Sequence, residues 1–157
     1  MLPEIKTAIN ASDAVFGIAL LFSAIGALPA MLFTGAIVKK FNRWTLSLSL
    51  FAFAITTLLL SFVDSPFALA GILFLIGAAS GALDVIMNAG VATLEEVTGK
   101  KYFNIAHAAF PLAVIVASPG VGLARQFGID CKVIITTLTL FICLAAFFCL
   151  WLEAENR

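Results

Sequence analysis

Asp84 and Asn88 lie four residues apart in a stretch that is otherwise mostly apolar or small. At that spacing a carboxyl group and an amide share one face of a helix. Among apolar neighbours, such a pair can hold a polar solute or take up and release a proton. At 100° per residue, Gly77, Gly81, Asp84 and Asn88 fall within about 60° of one another. The two glycines on this stripe permit a neighbouring backbone to come close. A carboxylate inside hydrocarbon costs at least a few kcal/mol, so it belongs against a protein interior or an aqueous cavity. Two roles fit Asp84: a substrate or proton site, protonated when unpaired, or a polar clamp that holds helices together. His107, the only histidine, is placed to exchange a proton or hydrogen bond with Asp84. Backbone or headgroup contacts would satisfy it equally well.

Other chemistry has no residues to carry it. No His or Cys pair has metal-ligand spacing, no glycine loop precedes a Lys-Ser/Thr pair, and no Gly-x-Ser-x-Gly occurs. Neither a metal nor a cofactor is expected, nor an enzyme. Cys131, Cys143 and Cys149 form no framework. An odd count without a Cys-x-x-Cys reads as small apolar residues in a membrane. Glu4 and Lys6 stand where a cleavable signal peptide would need a basic and then an apolar segment.

The elements that must position Asp84 follow from composition. Hydrophobic residues make up 62% of 157 residues, and charged residues only 11%. An average soluble domain has about 45–50% apolar residues, glycine included, and about 25% charged. A globule of this size could not hide so much apolar side chain, so the chain reads as an all-α integral membrane protein. With 9 basic and 9 acidic residues the net charge is zero, and a nucleic-acid partner is excluded. A span needs about 20 mostly apolar residues to cross about 30 Å of hydrocarbon. Runs of that kind cover 14–38, 44–63, 66–97, 102–124 and 133–152, a bundle of five transmembrane helices in one membrane domain. The third opens on Ser65-Pro66, a cap followed by proline at the first helical position, and carries Asp84 roughly 27 Å along. In the fourth, Ser118-Pro119-Gly120-Val121-Gly122 interrupts the apolar run. Pro119 removes a backbone bond and bends the helix, as a packing kink or as a hinge. Runs this long, apolar on both faces, are not barrel strands.

Orientation follows from the basic residues in the connections. Lys39, Lys40, Arg43, Lys100, Lys101 and Arg157 fall on one side, and Lys6, Arg125 and Lys132 on the other. The richer side should be cytoplasmic, with the N-terminus outside and the C-terminus inside, in a cell (inner) membrane.

These residues resemble a family, the major facilitator superfamily of secondary transporters, over the second to sixth helices of its N-terminal half. Leu2-Pro3-Glu4-Ile5-Lys6, Ser12-Asp13 and Gly17 look like its outer loop and the start of its second helix. The run from Gly35 to Arg43 sits where the superfamily has Gly-x-x-x-Asp-Arg-x-Gly-Arg-Arg. Leu83 to Ala89, with Glu95-Glu96 and His107 following, is similar to the fourth and fifth helices of a sugar-permease-like bacterial subgroup.

The resemblance implies alternating access by two six-helix halves, with the site between them near the midplane. It implies a small solute, such as a sugar, carried by proton symport. Asp84 and Asn88 fit the fourth-helix positions that contact solute and proton. Gly35, Lys40 and Arg43 fit the cytoplasmic gate loop, whose aspartate is replaced here by Lys39 and whose second glycine by Asn42. By the same comparison the first helix and the entire C-terminal half are missing. The expected product is an incomplete half, inactive alone, from a split, decayed or truncated gene. A non-transporting multi-pass interaction protein, its polar stripe structural, is the other expectation.

Overall fold

The computed structural model describes residues 2–38 and 44–155. All of its regular elements are helical, with no strand among the described residues. They are α1 (Leu2–Ala8), α2 (Asp13–Ile37), α3 (Thr45–Leu59), α4 (Pro66–Thr98), α5 (Phe103–Gln126) and α6 (Cys131–Glu155). A short 3-10 turn, Leu60–Phe62, extends α3. Five of these elements are long and apolar enough to cross a membrane: α2, α3 with its 3-10 extension, α4, α5 and α6.

Helix ends follow local chemistry. Ser12 caps α2 by accepting from the Val15 amide at 3.3 Å. Ser65 caps α4 through the Ala68 amide at 3.2 Å, with Pro66 in the first turn where its missing N–H costs nothing. The other end of α4 closes on Gly99, in the left-handed region at φ 67°. Its amide returns to the Glu95 carbonyl at 2.9 Å, a conformation that glycine adopts without a Cβ penalty.

The N-terminal segment, expected as an outer loop, is the helix α1. Pro3 occupies the first turn, Glu4 is acidic near the start and Lys6 basic near the end, the charge order that the helix dipole favours. Seven residues are too few to show a period, which is why the sequence pattern missed it. Beyond α1, Ile9 is buried with Ala19, Leu69 and Leu73, and Ile5, Phe16, Leu60 and Val63 pack around them. This cluster seals one end of the bundle.

Two helix pairs make up the body. α2 lies along α4 in the most extensive contact of the molecule, and α3 lies along α6. Small residues let the backbones meet: Ala54 on α3 and Ala146 on α6 are fully buried. On α6, Ile135, Thr139 and Ala146 are buried at spacings of four and seven residues, one stripe of the helix. α5 stands apart. None of its residues is buried, and it touches α4 and α6 only marginally. Large apolar side chains cover the outside, Phe67 at 90% exposure and Val116 at 75%. In water that surface would be untenable, and in a bilayer it is the lipid-facing surface.

Candidate functional site

The glycine part of the α4 stripe is buried against α2. A Cβ on Gly77 would overlap the Ser23 carbonyl, and one on Gly81 would lie 2.8 Å from the Ala27 carbonyl oxygen. The contact is reciprocal, because Gly26 of α2 lies equally close to the carbonyl of Phe74. Carbonyl-to-glycine approaches of this kind hold helices together by van der Waals packing when lipid supplies no hydrophobic drive.

One turn beyond Gly81 that cover ends. Asp84 is exposed and Asn88 half-buried. The Asn88 Nδ2 donates to Asp84 Oδ2 at 3.2 Å. The stripe therefore divides in two, with glycines closed inside the α2–α4 contact and a carboxyl–amide pair left open. The pair is self-satisfied on one side only: Asp84 Oδ1 and the Asn88 side-chain Oδ1 have no partner among the described residues. An arrangement of that sort can accept from a solute hydroxyl while the carboxyl group gains or loses a proton.

His107 is exposed on the first turns of α5 and makes no hydrogen bond to Asp84 among the described residues. Its ring lies 4.7 Å from that of Phe103, tilted by 59°. The start of α5 is nevertheless fixed to α4. Glu95 Oε1 accepts from the amides of Tyr102 at 2.6 Å and Phe103 at 2.7 Å, so a carboxylate on one helix caps the next. Sequence reasoning used Glu95 only for its place after Asn88; a carboxylate seven residues before a helix start, across a Gly turn, was the signal available.

α5 remains helical through both Pro111 and Pro119. A proline removes one hydrogen bond without ending a helix whose other turns are intact. Gly120 and Gly122 face open space. Gly35, near the end of α2, also has open space at its Cα. Its companions in the gate loop, Lys40 and Arg43, lie outside the described residues.

A cavity of about 470 Å³ lies where the end of α2 and the start of α3 meet α4. Val38, Leu46, Met87 and Leu94 are among its walls, and neither Asp84 nor Asn88 lines it. An apolar groove of this kind suits a hydrocarbon chain and not a polar solute. No group of three His, Cys, Asp or Glu side chains among the described residues has metal-binding geometry.

A second polar cluster, which the sequence pattern did not single out, lies at the α1 end. Glu4 forms an ion pair with Arg125 of α5, and its other oxygen accepts from Cys131 Sγ of α6 at 2.6 Å. Arg125 also donates to the Ile129 carbonyl. Three elements that barely touch through side-chain packing are thereby tied by one carboxylate.

Comparison with known proteins bears on these features together. The family model described as Major Facilitator Superfamily matches residues 1–157. A relative from Yersinia pestis, described as an uncharacterized MFS-type transporter, is 30% identical over 146 residues, 92% of this chain. The match covers 38% of that relative's own length. No solved structure matches the chain significantly.

Proposed function

Because the chain belongs to the Major Facilitator Superfamily, we propose that it is part of a secondary transporter. It supplies five spans of one half, and a first helix and a C-terminal half are the partners it requires. The transported species is a small polar solute, a sugar by the likeness of its α4 residues, moved by symport with protons across a bacterial inner membrane. Asp84 carries the proton, Asn88 hydrogen-bonds the solute and His107 assists from the start of α5. The loop from Gly35 through Lys40 and Arg43 serves as the cytoplasmic gate.

The observation that carries this reading is the open Asp84–Asn88 pair. A carboxyl group is costly in a span, and a clamp between helices would be covered by the helix it clamps. This one is left uncovered on a helix whose adjoining face is tightly packed. It would line a central cavity once the remaining spans are in place.

Alone, the chain leaves that pair open to lipid, at a cost of several kcal/mol, and it is not expected to transport. Liposomes holding the 157 residues should show no solute-dependent current under a proton gradient. Liposomes holding the chain completed by the missing segments of its longer Yersinia relative should show one for some member of a sugar panel. Saturable, stereoselective flux by the chain alone would overturn the incomplete-half reading. Silence of the completed protein toward every solute, with stable recovery of a membrane partner, would favour the interaction protein instead.

A further inference from the structure

The ion pair at the α1 end borders a second cavity of about 210 Å³, formed where α1, the 3-10 turn and the α5–α6 connection converge. Its walls carry four charges: Glu4, Arg125, Asp130 and Lys132. They balance, so the cavity disfavours a ligand of either net sign. Two of the four are not used up by the fold. Asp130 Oδ1 accepts from the Lys132 amide at 2.6 Å, leaving Oδ2 without a partner among the described residues. The Lys132 ammonium makes no ion pair among the described residues.

Ser61 supplies an independent observation. It lines the same cavity at 9% exposure, and its hydroxyl has no hydrogen-bond partner among the described residues. A buried hydroxyl left unpaired costs free energy that a bound polar group would recover. The cavity thus offers three donors, from Lys132, Arg125 and Ser61, and one free carboxylate oxygen from Asp130.

We propose that this cavity binds a zwitterionic group combining a tetrahedral phosphate with a primary ammonium. The phosphate accepts from the three donors and the ammonium donates to Asp130. The volume equals about seven waters at about 30 Å³ each, the size of such a group and too small for a drug-sized ligand. Ile5, Leu60, Val63 and Ile135 make the rest of the wall apolar. Two sources share this chemistry and its zero net charge: the headgroup of phosphatidylethanolamine and free glycerophosphoethanolamine, both phosphodiesters. The site is separate from Asp84 and does not rest on the transport reading.

Cys131, whose thiol is bonded to Glu4 inside this cluster, reports occupancy. The 157-residue chain in phosphatidylcholine nanodiscs is treated with N-ethylmaleimide, and alkylation of each cysteine is followed by peptide mass spectrometry. Cys143 and Cys149 serve as internal references. Free glycerophosphoethanolamine at twice its dissociation constant should slow Cys131 about threefold at constant ionic strength, if the source is soluble. If the source is the lipid, discs containing phosphatidylethanolamine should give the slow rate without additive. Lys132→Gln and Ser61→Ala should each remove the protection without altering the references. Lys132 is exposed and the Ser61 hydroxyl unpartnered, so neither change threatens the fold. Unchanged Cys131 rates in both arms would overturn the proposal. So would protection that survives both substitutions, or equal protection by glycerophosphocholine, which lacks ammonium N–H donors.

Discussion

Gly77 of α4 lies so close to Ser23 of α2 that a methyl group on its Cα would overlap the Ser23 carbonyl oxygen. Gly77→Ala must therefore push the two helices apart or twist one of them, at a cost of about 1–3 kcal/mol. Gly71→Ala, on the same helix with nothing within 4 Å, should be neutral or slightly stabilising. Unfolding in a mild-detergent and denaturant series reads the difference. Equal behaviour of the two variants would mean that the α2–α4 contact is looser than described.

Glu95 holds the start of α5 through the Tyr102 and Phe103 amides. Glu95→Ala should cost about 0.5–2 kcal/mol of capping and speed hydrogen exchange at those two amides. Glu96→Ala, one residue on, should leave both protected. Because α5 has no buried residues, little else would restrain its first turn once the cap is gone.

The Glu4–Arg125 ion pair spans the α1 end, with the side chains 44% and 30% exposed. Partial exposure keeps its coupling small, about 0.2–1 kcal/mol. A double-mutant cycle with Glu4→Gln and Arg125→Gln measures it directly. A coupling indistinguishable from zero would leave α1 held by Ile5 and Ile9 packing, the Cys131–Glu4 hydrogen bond and the Lys6–Asp13 ion pair.

Topology is tested by single cysteines in a cysteine-free background. The basic residues of the α4–α5 turn should be retained on the cytoplasmic side. An impermeant maleimide added to intact cells should then label a cysteine at Asp64 and spare one at Lys101. The reverse pattern would invert the orientation proposed for every span.

Asp84→Asn keeps the size of the side chain and removes its proton. In the completed transporter, this change should abolish proton-driven accumulation while membrane insertion and yield remain normal. Full accumulation by the variant would reduce Asp84 to a structural polar group.

The sequence by itself determined that the chain is helical and membrane-embedded. Its apolar runs are longer than a strand requires and fill every face, and no arrangement of 157 residues could bury them in water. It also showed that Gly77, Gly81, Asp84 and Asn88 share a stripe, since helical periodicity is a local property. Tertiary structure alone decided how that stripe is used. Whether a face is covered depends on the neighbour's course, and α2 covers the glycines at Ser23 and Ala27 but leaves Asp84 open. The same holds for Glu4, Arg125 and Cys131, up to 127 residues apart. No local pattern relates residues so distant; they meet because α1 folds onto the end of the bundle where the α5–α6 connection lies. Glu95 falls between the two cases. Its cap is near in sequence, yet it forms only because Gly99 turns α5 back toward the helix that carries the carboxylate.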